Sequence, residues 1–159
     1  MNYDFKNNIM IETSIKRLNF LCSAIPPILK EIDEQTFSFK SSSDKWSKKE
    51  IIGHLIDSAT NNHQRFVRGQ FEDCPTIFYD QNKWNEYSFY QQVNGQQIID
   101  FWTTYNKQLL EIIKHISSKD LQRTCKTNTS NEYTLNFLIN DYVEHLEHHL
   151  KQIINYKCN

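Results

Sequence analysis

The chain has 159 residues and a mass of 19.1 kDa, which is enough for one domain with a buried core. Its 38% hydrophobic residues, with only 3 Gly and 3 Pro, argue against a disordered chain and against a turn-rich all-β fold. The 18 basic and 19 acidic residues leave a formal charge of -1, so the chain lacks the positive charge of a nucleic-acid-binding protein.

The first helix is predicted from about Asn7 to Asp33, where apolar residues recur at spacings of three and four. Pro26 and Pro27 lie inside this pattern. Because proline removes a helical amide donor and restricts the residue before it, we expect a kink or a break near Ile25.

The second helix is predicted to begin at Ser47, which forms an S-x-x-E capping box with Glu50, and to end near Gly69. A long loop is expected over residues 71–92, where proline, acidic and aromatic residues alternate without periodicity. Two further helices are predicted at about 95–116 and 134–156. Four amphipathic helices without an internal repeat predict an all-α four-helix bundle, forming one domain over residues 1–159.

The cysteines and the N-terminus bear on the cellular environment. Cys22, Cys74, Cys125 and Cys158 form no C-x-x-C pair, so we interpret them as isolated reduced thiols. The N-terminus lacks a signal-peptide pattern, and no apolar run is long enough to span a bilayer. These features predict a soluble cytoplasmic protein with no membrane partner.

A histidine pair marks the last predicted helix. His145 and His149 are four residues apart, so their side chains leave the helix one above the other and can ligate one ion, whereas His148 points toward solvent. The same spacing also suits two polar residues at the edge of the core. An open three-ligand site would need a third residue from another helix.

The second predicted helix offers His54, which heads a polar stripe with Ser58, Asn61 and Arg65. The helical periodicity leaves two alternatives, a hydrated pocket inside the bundle or the solvated side of the helix. The other two histidines have structural interpretations, since His63 lies near the apolar face and His115 lies at the carbonyl end of a helix.

Two segments, KWSKKEIIGHLIDSATNNHQRF and DYVEHLEHHLKQI, resemble the DinB-like superfamily, including its YfiT-type metal-dependent hydrolases and DinB_2-like domains. The resemblance spans nearly the whole chain. It places Trp46 before the second helix and implies that His54, His145 and His149 hold one divalent ion. Where many relatives carry a further histidine, this chain has Gln152.

The resemblance implies a metal-dependent enzyme that activates water or a low-molecular-weight thiol such as bacillithiol or mycothiol, and therefore either a hydrolase or a thiol S-transferase. Zinc and nickel are the expected ions because both suit imidazole nitrogen. The alternative is a non-catalytic metal-binding or ligand-binding helical module, since no general base is evident in the sequence.

Several residues are candidates for supporting roles around the ion. Asp57 and Asp141 could each orient an imidazole, and Arg65 could hold an anionic group of a small-molecule substrate. Four loop aromatics could cover the pocket or simply pack the loop onto the bundle, and we favour packing: Trp84, Tyr87, Phe89 and Tyr90. A homodimer is predicted because Phe5, Phe37 and Phe39 lie outside the predicted core.

Overall fold

The computed structural model describes residues 2–127 and 130–157, with side chains described from Met10 onward. The helices are α1 (Asn2–Lys30), α2 (Glu34–Ser38), α3 (Lys48–Arg68), α4 (Gln81–Tyr87), α5 (Gly95–His115) and α6 (Leu135–Ile153). Single 3-10 turns occupy Tyr90–Gln92 and Asp120–Gln122. Strands β1 (Thr124–Lys126) and β2 (Glu132–Thr134) form a short antiparallel hairpin. None of the helices described is both long enough and apolar enough to cross a membrane.

The four long helices α1, α3, α5 and α6 form the bundle, which confirms the predicted fold class. α1 packs against α5 and α6, and α3 packs against the same two helices, so that α1 and α3 occupy diagonal positions. Their apolar faces meet in one core that includes Trp102 and Tyr142, both almost completely buried. Burial of these faces is the main source of stability in such a bundle.

The predicted break in α1 is wrong, because the helix continues through Pro26 and Pro27 to Lys30. Only the two prolines lack an amide donor, and the residues after them can still bond to carbonyls four residues back. Ile25 and Leu29 are fully buried on either side of the prolines, so packing against the core holds the last turn in place.

The capping box predicted at the start of α3 is confirmed. The Ser47 side chain accepts a hydrogen bond from the Glu50 amide at 3.1 Å, and the Ser47 amide donates to the Glu50 carboxylate at 2.7 Å. Gln91 also donates to the Ser47 hydroxyl at 2.7 Å, which ties the loop before α5 to this helix end. The first turn of α3 is therefore fixed close to where His54 leaves the helix.

Ser47→Ala is expected to lower the free energy of unfolding by about 1–2 kcal/mol, because the Glu50 amide loses its cap and the Gln91 amide loses its acceptor. Urea unfolding followed by circular dichroism measures this change. Ser43→Ala, in the exposed loop before the helix, is the matched control and should stay within about 0.5 kcal/mol of wild type. Equal effects of the two substitutions would contradict a capping role for Ser47.

The prediction of a long loop over residues 71–92 is wrong in part, because this segment contains α4 and the turn Tyr90–Gln92. The Asp80 carboxylate accepts from the amides of Asn82 and Lys83, and the Asn85 side chain donates to the Glu50 carbonyl at 2.8 Å. A helix this short has too few residues for a period to be visible, so capping and tertiary contacts define it.

The short helix α2 and the position of Phe37 were also not predicted. Phe37 is only 1% exposed and packs beside Gly95, so its assignment outside the core is wrong. Phe39 is 68% exposed, in agreement with its predicted position, and the Phe5 side chain lies outside the described residues. The homodimer stays a prediction.

Cys158 is also outside the described residues, and the other three cysteines are free thiols.

Candidate metal centre

Three histidines from two helices converge at one point inside the bundle. His54 lies on α3, and His145 and His149 lie on α6. One ring nitrogen from each histidine can be chosen so that all three lie within 4.8 Å of one another. The Nε2 atoms of His54 and His145 are 3.1 Å apart. The three predicted ligands therefore form one cluster.

The polar stripe of α3 faces the interior, which resolves the two alternatives left open by its periodicity. His54 is 1% exposed, Ser58 5% and Asn61 4%. Because α3 packs against both α5 and α6, apolar residues on one side of the helix contact the core while this stripe faces α6. The stripe thus forms one wall of a polar pocket within the bundle.

The far ring nitrogens of two histidines have partners that fix their orientation. Ser58 Oγ lies 3.5 Å from His145 Nδ1, and Gln152 Oε1 lies 3.3 Å from His149 Nδ1. If Nδ1 donates in each case, the Nε2 lone pair is directed into the cluster. His54 Nδ1 is buried and has no hydrogen-bond partner among the described atoms. The Trp46 ring lies 5.0 Å from the His54 ring, between centroids, and covers it on the side of the loop before α3.

All three imidazoles are held in the neutral form that a metal ligand requires. Burial lowers the pKa of His54 to about 3, and the adjacent His145 and His149 add to the shift. Burial and the neighbouring histidines lower the pKa of His145 to about 4. The pKa of His149 is also lowered, mainly by burial, although its hydrogen bond with Gln152 opposes this. At pH 7 each ring has a lone pair available for a cation.

The remaining histidines lie outside the cluster. His148 is exposed, as predicted, and its Nε2 accepts from the Gln152 amide at 3.1 Å. The His63 ring is half-buried, 3.0 Å from the Tyr105 hydroxyl. His115 Nδ1 lies 2.7 Å from the Glu111 carbonyl in the last turn of α5. These contacts agree with the structural interpretations of His63 and His115.

A polar cavity of about 170 Å³ lies directly against His54 and His145. It contains three of the residues predicted from the stripe, Ser58, Asn61 and Arg65, together with Asp141 at its exposed rim. Sequence reasoning missed four other lining residues: Asn62, Tyr79, Gln81 and Tyr142. Tyr79 and Gln81 come from the segment between α3 and α5, and no periodicity could have placed them opposite the stripe.

Two carboxylates, Asp57 and Asp141, were predicted to orient an imidazole. Neither Asp57 nor Asp141 is hydrogen-bonded to one of the three histidines within the described atoms. Asp57 accepts a hydrogen bond from the Tyr90 hydroxyl at 2.6 Å, and its other carboxylate oxygen is buried without a partner. Burial raises the pKa of Asp141. Their proposed role in orienting the ligands stays a prediction.

The predicted packing of the loop aromatics onto the bundle is seen for Tyr90 but not for the exposed Tyr87 and Phe89, and none of the four covers the cavity. Tyr90 lies over Gly53 and bonds to Asp57, and Trp84 contacts the Tyr79 ring at 5.3 Å between centroids. Tyr87 and Phe89 are exposed. None of these four predicted residues is among the residues that line the 170 Å³ cavity. The aromatic wall of that cavity is instead formed by Tyr79 and Tyr142.

The buried Asp57 makes stability depend on pH in a definite direction. Burial raises its pKa to about 6, while an unfolded aspartate titrates near about 3.9. The folded protein therefore keeps a proton that the unfolded chain loses between these values. The stabilising contribution is fully present below about pH 4 and is lost as the pH rises through about 6.

Asp57→Asn should remove this dependence, because the amide keeps an acceptor for the Tyr90 hydroxyl but does not titrate. We expect the stability of wild type relative to the variant to fall by about 2 kcal/mol between pH 4 and pH 7. Urea unfolding in EDTA at several pH values measures the free energy of unfolding of both proteins. The histidines titrate in both, so their contribution is removed when the two free energies are subtracted. Parallel curves for the two proteins would show that Asp57 ionises as freely in the folded state as in the unfolded chain.

Comparisons with known proteins give a consistent result. A family model described as the DinB superfamily matches residues 21–153. A protein of Bacillus cereus strain B4264, named as a candidate metal-dependent hydrolase, is 23% identical over 91% of this chain and 83% of its own length. A protein of the same name from Bacillus anthracis strain A0248 has the same identity and coverage.

Two solved structures share the fold. YfiT from Bacillus subtilis, described as a probable metal-dependent hydrolase with an unusual four-helix bundle topology, aligns with a TM-score of 0.81 and 19% identity. The alignment covers 90% of this chain and 83% of YfiT. A mycothiol-dependent maleylpyruvate isomerase aligns with a TM-score of 0.73 and 12% identity over 89% of this chain and 59% of the isomerase.

Proposed function

The chain belongs to the DinB superfamily, and on this premise we propose that it is a metal-dependent enzyme acting on a small molecule. The observation that carries the proposal is the convergence of His54, His145 and His149 from two helices within 4.8 Å. The names of its relatives, which refer to metal-dependent hydrolases, support the same class of protein.

The spacing of His54 and His145 fits binding to one divalent ion, which His149 would complete as the third ligand. Two imidazole nitrogens bound to a tetrahedral zinc ion, each at about 2.1 Å, lie about 3.4 Å apart. The Nε2 atoms of His54 and His145 are 3.1 Å apart, and both rings are neutral at pH 7. Such close approach leaves two lone pairs facing each other unless a proton or a cation lies between them. We propose zinc or nickel because imidazole nitrogen suits both ions.

A divalent ion with three protein ligands and an open position supplies a nucleophile at neutral pH from water or from a thiol. The chain would contribute the surroundings of this reaction. Ser58 and Gln152 hold the rings of His145 and His149, and Trp46 shields His54. The 170 Å³ cavity beside His54 and His145 provides the space for a substrate.

Two reaction types remain within the proposal. The hydrolase names of several relatives favour water as the nucleophile, and the mycothiol-dependent isomerase favours a low-molecular-weight thiol. One observation favours the non-catalytic alternative: among the described side chains of residues 10–127 and 130–157, no aspartate or glutamate joins the histidine cluster to act as a general base. A thiolate nucleophile needs no such base once its proton has been lost.

The test begins with protein purified without a histidine tag, whose metal content is measured by elemental analysis. The zinc-loaded and nickel-loaded forms are then assayed for ester hydrolysis and for transfer of a low-molecular-weight thiol to an electrophile. We expect about one metal ion per chain and one activity that is lost with EDTA and restored by the metal. Stoichiometric metal binding with neither activity would favour the non-catalytic module, and failure to bind any metal would contradict the proposal.

A further inference from the structure

The cavity beside the histidines is lined by Arg65, a cationic side chain that forms no direct ion pair within the described part of the chain. Arg65 Nε and Nη2 donate to the Ile77 carbonyl at 3.3 and 3.0 Å, and Nη1 donates to Asn62 Oδ1 at 3.2 Å. Both partners are uncharged. Within the described part of the chain, no carboxylate oxygen forms an ion pair with this guanidinium, although Asp141 acts on it at longer range.

The contacts of Arg65 fix its position without using all of its donors. The Ile77 carbonyl belongs to a loop segment that is itself held, because the Ile77 amide donates to the Lys126 carbonyl at 2.9 Å. Asn62, the other partner, is 6% exposed on the same helix. The guanidinium has more N–H groups than these contacts use, and its planar fork suits a carboxylate or a similar anion.

We propose that Arg65 binds the carboxylate of a small organic acid in this cavity, and that the substrate of the metal centre is therefore an anion. This inference rests on the proposed function for its reaction, but the binding step requires no metal. The carboxylate would replace solvent as the partner of a half-buried guanidinium in a polar cavity of about 170 Å³. Charge-assisted bonds of this kind are stronger than neutral ones and select by charge.

The position of Arg65 limits the shape of the acid. Arg65 lies three turns after His54 on α3, about 16 Å along the helix axis, and helical side chains lean back toward the N-terminus. The cavity is lined by both residues and so connects them. An acid that fills it would have its carboxylate and its reacting bond at opposite ends, several bonds apart.

Asp141 would also influence which ligands the cavity binds. Its carboxylate lies at the exposed rim of the same cavity, where it would repel an anion and attract a hydrogen-bond donor. Asp141→Asn should therefore strengthen binding of a simple dicarboxylate by several-fold. This variant changes the charge at the rim without touching the contacts of Arg65 with Ile77 and Asn62.

The test uses the EDTA-treated protein, so that a carboxylate cannot bind through a metal ion. Succinate and its uncharged analogue succinamide are titrated at constant ionic strength and followed by two-dimensional NMR of the backbone amides. We expect saturable succinate binding that perturbs Asn61 and Tyr79, and no comparable binding of succinamide. Arg65→Gln should weaken succinate binding at least tenfold.

Arg68→Gln is the matched control, because Arg68 lies on the same helix but forms an ion pair with Glu72 away from the cavity. It should bind succinate as wild type does. Equal affinity of wild type and Arg65→Gln, or equal binding of succinamide and succinate, would overturn the proposal. If Arg65→Gln does not fold, Asp141→Asn decides the question, since unchanged or weaker succinate binding would also overturn it.

Zinc titration of the same proteins separates this inference from the proposed function. Succinate binding through Arg65 in a protein that takes up no zinc would contradict the metal-dependent enzyme and leave the anion site intact. Zinc binding without succinate binding would contradict the anion site alone. Arg65→Gln should keep the zinc affinity of wild type, and a parallel loss of both would show that Arg65 only maintains the structure of the site.

Discussion

Replacing His54 with alanine is expected to weaken binding of Zn²⁺ or Ni²⁺ by on the order of 100-fold or more. The substitution removes the ligand supplied by α3 and leaves only the pair on α6. His145→Ala and His149→Ala should have effects of similar size, because each removes one of three converging nitrogens. This large and selective loss is the main consequence of the predicted site.

Isothermal titration calorimetry on the six single histidine variants measures these affinities. His148→Ala is the closest control, since His148 is adjacent to a proposed ligand but exposed, and it should change metal affinity little. His63→Ala and His115→Ala serve the same purpose on α3 and α5. A variant series in which His148→Ala lost the metal while His149→Ala kept it would show that the wrong side of α6 had been assigned.

The second large effect is expected at Gly53, where the Tyr90 ring lies directly against the α3 backbone. A Cβ atom at this position would be 2.2 Å from the ring, so the ring must move. Its hydroxyl would then leave Asp57, whose other carboxylate oxygen has no hydrogen-bond partner among the described atoms. We expect Gly53→Ala to lower the free energy of unfolding by about 3 kcal/mol from overpacking and the lost hydrogen bond together.

A double-mutant cycle with Tyr90→Ala provides the control. Once the ring is absent, the three atoms nearest to the added methyl group are removed, and alanine favours a helix over glycine by about 1 kcal/mol. Gly53→Ala should therefore change from destabilising in wild type to stabilising in Tyr90→Ala, as measured by urea unfolding. If Gly53→Ala had the same effect in both backgrounds, contact with Tyr90 could not be the cause.

The long helices were predictable because apolar residues recur at spacings of three and four over several turns of each helix and face the core. α3 and α5 begin and end within about a residue of the predicted positions, since Ser47 and Asn94 cap their first turns. The elements α2, α4 and the two strands of the β-hairpin were missed because none of these helices and strands is longer than seven residues. Their formation depends on tertiary contacts such as that of Phe37 with Gly95, which no local pattern encodes.

The ligands on α6 could be predicted from the sequence more readily than the ligand on α3. Spacing identified His145 and His149 as a pair, but periodicity could not decide whether His54 faced solvent or the interior, and only the resemblance to a family supplied it. Tyr79 was not predicted because it reaches the cavity from an irregular segment. The position of such a residue depends on the path of the chain, as in the bond from Arg65 to the Ile77 carbonyl.

The diagonal placement of α1 and α3 has a consequence for the rate of folding. Each of these helices packs against α5 and α6, so three of the four major helix contacts join segments that are not consecutive long helices in the chain. The conformational entropy lost on closing such long loops must be overcome before the stabilising helix contacts form. We expect this bundle to fold more slowly than an up-and-down bundle of equal length, whose contacts join successive helices. The contact of α1 with α6 also requires both ends of the chain, so a nascent chain cannot complete the core until α6 has been synthesised.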